Sequence, residues 1–220
     1  MATLTLRPVS DSNVRHSLSS GSNAYSLINE SRQDGDSTYI YQYIQSTQSS
    51  TLTSIFNIGG FDSTKIKVTK CTLYVVARST ASATARMQIV VNANGTTTST
   101  GTYSLSSSYT TKSANCESII DSINSQLTNG QMPSITLTVQ TAGAKSSSKD
   151  DSFQIRLTQA YLEIEYEIVQ DSGESTGLHI KIDGAYVAVK AVYKKVNGSY
   201  VKQNDISSLF DEDTRYIKMN

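Results

Sequence analysis

From Phe153 to Tyr166 the chain alternates apolar and polar residues with the two-residue period of a β-strand, and the phase slips once on the way. In Phe153-Gln154-Ile155-Arg156-Leu157 the odd positions are apolar, whereas in Ala160-Tyr161-Leu162-Glu163-Ile164-Glu165-Tyr166 the even ones are. A one-residue slip turns every later side chain to the other face, so a bulge or break near Gln159 is needed if one face is to stay buried. Lys65-Ile66-Lys67-Val68 changes phase in the same way before Leu73 and Val75. Glu163, Glu165 and Glu167 then share one outward face, as do Lys65 and Lys67, and the carboxylates read as a solvated face answering lysines on a neighbouring strand.

Counting this one, runs of the same kind fall at 3–7, 23–29, 37–44, 51–57, 64–78, 84–93, 134–141 and 152–168, with a weaker one at 101–105, separated by Gly, Asn, Asp and Ser clusters. This spacing predicts a mainly β fold, a jelly-roll-like antiparallel β-sandwich over residues 1–168. One segment breaks the pattern. Cys116, Ile119, Ile120, Ile123 and Leu127 lie on a single helical stripe, with Asn115 placed to cap the start and Asn129-Gly130 to end it. That short helix is expected to close one end or flank of the sandwich. In residues 95–112, 12 of 18 are Ser or Thr; so little apolar area predicts a mobile loop, or an edge hairpin through Tyr103 and Leu105. Residues 143–151 read as a second exposed loop.

Past Ile168 the character changes. Residues 169–177 form a polar linker, and 178–220 a small domain built on an internal repeat: Ile182-Asp183-Gly184-Ala185-Tyr186-Val187 and Val196-Asn197-Gly198-Ser199-Tyr200-Val201. Asp-Gly and Asn-Gly supply the positive φ values of a two-residue type I′ turn, so each copy is a hairpin, and the two in tandem make a small meander. A short helical turn over Ile206, Leu209 and Phe210 is expected to follow. A domain of this size seldom holds together alone without metal, disulfide or partner, and is expected to lean on the sandwich or on a neighbouring subunit.

The chemical inventory is thin. There is no G-x-S-x-G elbow, no phosphate loop and no dinucleotide fingerprint, so neither an enzyme nor a cofactor is expected. His16 and His179 stand apart and read as ordinary surface or strand residues. Cys71 and Cys116, the only cysteines, read as reduced core thiols rather than a redox pair. Two Cys and two distant His make no zinc spacing, and Asp34-Gly35-Asp36 is as well explained by turn chemistry as by calcium. With 19 basic and 19 acidic residues, no nucleic-acid partner is expected. No apolar run is long enough for a membrane span, and the first residues carry no secretory signal, so synthesis and folding in a cytoplasm are expected.

One surface stands out. Tyr39, Tyr41 and Tyr43 alternate onto one face of a strand while Ile40 and Ile44 take the other. Tyrosine stripes give rigid amphipathic contact area, suited to cross-strand packing, to another protein or to sugar rings. Arg7, Arg15 and Arg32 are candidates for a nearby rim.

Leu178 to Asn220 resembles a pattern of the tail and baseplate-region proteins of bacteriophages of Gram-positive hosts, through Val192-Tyr193-Lys194-Lys195-Val196-Asn197-Gly198-Ser199-Tyr200-Val201 and Asp205-Ile206-Ser207-Ser208-Leu209-Phe210-Asp211-Glu212-Asp213-Thr214-Arg215-Tyr216. Where those proteins often carry Trp after the turn, this chain has Tyr186 and Tyr200. The first 168 residues resemble, more broadly, the jelly-roll modules of virion proteins and carbohydrate-binding modules, through Asp36-Ser37-Thr38-Tyr39-Ile40 and Leu162-Glu163-Ile164-Glu165-Tyr166. The resemblance implies a non-enzymatic virion structural protein, a tail or baseplate component assembled in the bacterial cytoplasm. Its hairpins would bind other virion proteins and further copies of itself through Tyr186, Tyr200, Leu209, Phe210 and Tyr216. The alternatives are a glycan-binding host-recognition module and a head decoration or head fibre protein.

Overall fold

The computed structural model describes residues 1–32, 36–81 and 84–169, and past them the backbone of six short strands. The chain divides into two compact units, Met1–Val169 and Gln170–Asn220.

In the first unit the strands are β1 (Ala2–Asn13), β2 (Ser17–Leu18), β3 (Ile40–Ile44), β4 (Ser50–Gly59), β5 (Ile66–Ser79), β6 (Thr84–Ala93), β7 (Thr96–Ser99), β8 (Tyr103–Ser104), β9 (Thr110–Asn115), β10 (Ile135–Ala144) and β11 (Phe153–Ile168). All described pairings are antiparallel, and they build a jelly-roll-like sandwich of two layers. In one layer β11 is central: β5 flanks it along its length and carries β9 on its far edge, while β3, with β2 outside it, and the start of β1 share the other flank. The second layer runs β1, β4, β10, β6, with β7 and β8 on the outer edge. β1 belongs to both. Ala2–Leu6 pair with β11 and Arg7–Asn13 with β4, so this strand turns the corner between the sheets.

The alternation read from the sequence decides which side chains meet between the layers. Leu73, Leu162 and Ile164 from one sheet and Phe56, Ile89 and Leu137 from the other are all fully buried. The phase slip in β11 is a register shift between Leu157 and Gln159, and that in β5 falls opposite the shift between Glu165 and Tyr166. At the first of these, the amide of Ala160 is satisfied by the Ile28 carbonyl (3.0 Å), which fills the gap between β3 and β1 along that edge of β11. The sheets approach closely at Gly143, where a Cβ would stand 3.1–3.2 Å from Ile44 and Ile155. On the outer face Glu165 lies across from Lys70 and pairs with it at 2.6 Å, the lysine answer expected for that row.

The helical stripe forms a 3-10 turn, Glu117–Ile119, running into α1 (Ile120–Thr128). Asn115 Oδ1 accepts the Glu117 amide (2.9 Å), and Gly130, with φ +72°, ends the helix. Asn124 exchanges two hydrogen bonds with the backbone of Val68 on β5, while Ser122 donates to the Ala93 carbonyl on β6. α1 thereby closes one end of the sandwich across both layers.

In this unit two expectations are corrected and a third, left open between two forms, is decided. Residues 23–29 are not a strand: Tyr25–Leu27 form a 3-10 turn, because the Asp11 carboxylate accepts the amides of Ala24 (2.9 Å) and Tyr25 (2.7 Å) and holds the chain in a bend. Of the two forms expected for the Ser/Thr-rich segment, the edge strands are found rather than the mobile loop, with Tyr103 on β8 paired to β6. Asn94 and Gly95, both at positive φ (49° and 90°), turn β6 into β7, and Thr110–Asn115 pair along the edge of β5. Edge strands need only one covered face, and Ser and Thr suit the other. His16 is neither a surface nor a strand residue; it is 4% exposed and fully hydrogen-bonded.

In the second unit β12 (His179–Ile182) pairs with β13 (Ala185–Ala188), β14 (Tyr193–Val196) with β15 (Ser199–Lys202), and β16 (Phe210–Asp211) with β17 (Thr214–Ile217). The closing pairs Ile182 with Ala185 and Val196 with Ser199 leave two residues for each connection, as the Asp-Gly and Asn-Gly repeat demands. The described strands make three separate two-stranded sheets instead of one meander: each hairpin closes its own ladder, and β13 and β14 share none. Phe210 opens a strand paired at Ile217, not a helical turn; Ile206 and Leu209 lie outside the described residues. So does the linker, except Val169, whose amide reaches the Lys65 carbonyl (2.9 Å).

Candidate functional site

The tyrosine stripe lies on the outer face of the β3–β11–β5 layer, and strand register supplies its neighbours. Ile40, Gln42 and Ile44 point inward from β3, which leaves Tyr41 and Tyr43 outside. Tyr43 stands across from Gln154 and Tyr41 across from Arg156. Arg156 in turn stands across from Arg78. A row Tyr41, Arg156, Arg78 therefore crosses three strands, and Tyr109, just ahead of β9, extends it.

Two arginines directly opposite on adjacent strands repel unless an anion sits with them. Asp36 fills that role. Its Oδ1 accepts Arg156 Nη1 (2.7 Å) and the Tyr109 hydroxyl (2.7 Å), and its Oδ2 accepts Arg78 Nη2. Partial desolvation pushes the Asp36 carboxyl upward, but the hydrogen bonds from Tyr109, Arg156 and Arg78 outweigh it and hold the group below the ordinary aspartate value. Tyr109 is shifted up, first by burial and then by its bond to Asp36, so it stays a donor.

Each guanidinium is also fixed from the side. Arg156 lies 4.4 Å over the Tyr39 ring and gives its Nε–H to Gln154 Oε1 (2.8 Å). Arg78 lies 5.0 Å over Tyr109 and reaches the Ser107 carbonyl (3.4 Å). Tyr39 and Tyr41 meet edge to face at 5.8 Å. Tyr43 keeps 49% of its surface exposed and Asp36's side chain 44%. The result is a held polar cluster beside an open aromatic ring.

Further along the same face, Tyr74 and Tyr161 stack at 5.1 Å, and Arg7 lies 4.8 Å over Tyr161 while donating to the Asn29 and Glu30 carbonyls. Of the three rim candidates, Arg7 thus serves this second patch; Arg15 and Arg32 are exposed and stand outside the Asp36 cluster. Sequence reading missed Arg78, Arg156, Gln154 and Tyr109. The outward phase of Arg156 in β11 was visible; its meeting with Asp36, 120 residues away, was not.

The other candidates are structural. His16 Nε2 lies 2.7 Å from Thr141 Oγ1, which gives its one proton to Gln42 Oε1 (2.7 Å). Nε2 must therefore donate, and Nδ1 must accept from Ser54 Oγ (2.7 Å). The lone pairs of Ser54 take the amides of Arg15 (2.9 Å) and His16 (3.1 Å). This chain ties β3 to β4 and β10, and burial holds His16 down to about 4. Ser54 is fully buried with its hydrogen bonds spent, which closes it to any substrate. Cys71 and Cys116 are free and buried; the Cys116 amide donates to the Cys71 carbonyl (2.9 Å), and the hydrogen bond between their thiols, with burial, pushes Cys71 up.

Among the described residues no cluster of three or more metal-ligating side chains occurs, and no helix is long and apolar enough to cross a membrane. Asp34 lies outside the described residues, and Asp36 serves the arginines. Tyr186, Tyr200, Phe210 and Tyr216 fall on β13, β15, β16 and β17, their side chains outside the description, as is all of Leu209.

No family model matches the chain, and no curated protein does. Among solved structures, the carbohydrate-binding module TmCBM61 in complex with β-1,4-galactotriose matches with a TM-score of 0.39 at 8% identity, over 60% of this chain and 74% of that one.

Proposed function

We propose that this chain is a non-enzymatic glycan-binding protein whose binding face is the outer surface of the β3–β11–β5 layer. The observation that carries the reading is the placement of Tyr43, half exposed, directly across from Gln154 and next to the fixed Arg156. A sugar ring offers a C–H face for an aromatic ring and an edge of hydroxyls for planar polar groups. Tyr43 supplies the first, and Gln154 and Arg156 the second, held before any ligand arrives. The test is a glycan array probed with the full chain and with Tyr41→Ala and Tyr43→Ala. Signal from the wild type and its loss in both variants, with unchanged melting, is the expected result; a blank array for the wild type removes the reading.

A second reading is favoured by a separate observation. The three described hairpins of Gln170–Asn220 form separate two-stranded sheets, a unit marginal by itself in water. Their strand edges are suited to pairing with other chains, which fits a docking element of a bacteriophage tail or baseplate component, with the sandwich as the part that meets a host glycan. Stable multimers in sedimentation equilibrium and the chain's presence in purified particles by mass spectrometry are expected. A monomer absent from particles removes this second role and leaves the first.

A further inference from the structure

We propose that the glycan taken by this face is acidic, and that Arg78 and Arg156 receive its carboxylate or phosphate in the place Asp36 occupies. The proposal rests on the glycan-binding reading and names its ligand class.

Charge is the first support. The row sets two guanidinium groups against one carboxylate, and Asp36 is the one anion that the described ion pairs bring to them. Geometry is the second. The two arginines come from paired positions on neighbouring strands, and each plane is pinned by a tyrosine ring and by an acceptor, Gln154 Oε1 for Arg156 and the Ser107 carbonyl for Arg78. Such a fixed double fork is what a carboxylate or phosphate is recognised by. A third support is that Arg78 has a donor to spare: among the described residues its buried Nε has no hydrogen-bond partner.

Asp36 is suited to be displaced. It comes from outside the strands, and its side chain is 44% exposed against 22% and 17% for the arginines. Ion pairs that solvent reaches contribute little and are screened by salt. A ligand anion exchanging for Asp36 keeps the arginines neutralised, while the sugar ring that carries it lies toward Tyr43. A neutral sugar has no group to make that exchange, so Asp36 acts as an internal competitor that only acidic glycans overcome.

Calorimetric titration of the full chain with trigalacturonate, with a glycerol phosphate oligomer and with neutral galactotriose tests this. At least one acidic ligand is expected to bind about tenfold more tightly than galactotriose, with an advantage that shrinks as salt rises; which acidic ligand wins tells carboxylate from phosphate. Asp36→Asn, an exposed and nearly isosteric change, is expected to raise the acidic-to-neutral affinity ratio by about a further tenfold. Arg156→Gln is expected to bring the ratio close to one. Equal affinity for acidic and neutral ligands, or a ratio that falls in Asp36→Asn, overturns the acidic class and leaves glycan binding standing. Binding to no sugar at all overturns both.

Discussion

On the β4–β10–β6 layer the outward rows read Asn57, Thr136, Asn92 and Thr53, Gln140, Gln88, small or medium polar side chains across three strands. On the opposite layer the corresponding row reads Tyr41, Arg156, Arg78, with Tyr74 beside Tyr161 further along. Both faces obey the same alternation and stand on the same core. Stability explains the first composition, since Thr fits a pleated half-solvated surface. It does not explain the second, where large side chains are laid over one another and two like charges are brought together around a borrowed carboxylate. The difference is the reason the proposed binding is assigned to the tyrosine- and arginine-bearing face.

The core that both faces share should respond most. His16 is held at about 4 against 6.5 in the unfolded chain, so the unfolded state takes up its proton first as pH falls. The stability this histidine lends is full above pH 6.5 and is lost between there and about pH 4, an effect of about 3 kcal/mol at 1.36 kcal/mol per pH unit. Urea unfolding at pH 7, 5.5 and 4 should show the decline, and a variant with His16→Gln should lack that part of it; parallel curves would dissociate the histidine from the acid response.

Next in size is the contrast between the faces. The double variant Tyr41→Ala, Tyr43→Ala should weaken binding of the best array ligand by about a hundredfold, whereas Thr138→Ala on the other layer should change it less than about twofold. Comparable losses from both would erase the distinction. Gly143→Val pushes a side chain into Ile44 and Ile155 from between the sheets and should cost roughly 1–3 kcal/mol in denaturant unfolding, with binding retained at temperatures where the protein is folded. The smallest effect belongs to Lys70→Ala: its pair with Glu165 is on the tyrosine-bearing layer but solvated, so the thermal midpoint should not move measurably.

Local pattern carried further than composition here. The slip in β11, the helical stripe ending at Gly130 and the outward set of Tyr41 and Tyr43 were all legible, because each follows from a period that one strand or helix enforces on itself. Asn94-Gly95 carried the same turn signal as Asn197-Gly198 but stood at the head of a Ser/Thr run whose low apolar content argued for a loop; pairing with β6 and β5 supplied the order that the run itself lacks. Residues 23–29 looked like a strand until the Asp11 carboxylate took two of their amides. His16 sits among polar neighbours, and its burial depends on Ser54 and Thr141, 38 and 125 positions away.

What the amino-acid order determined alone is which side of each strand is wet, since alternation is a property of consecutive residues. Which wet residues became neighbours was decided by tertiary structure, because strand order and register bring β3, β11 and β5 side by side from distant parts of the chain. A tyrosine stripe can be read along one strand. The arginine pair around Asp36 exists only where two strands and a connecting turn meet, and there electrostatics between distant residues acts at hydrogen-bond range.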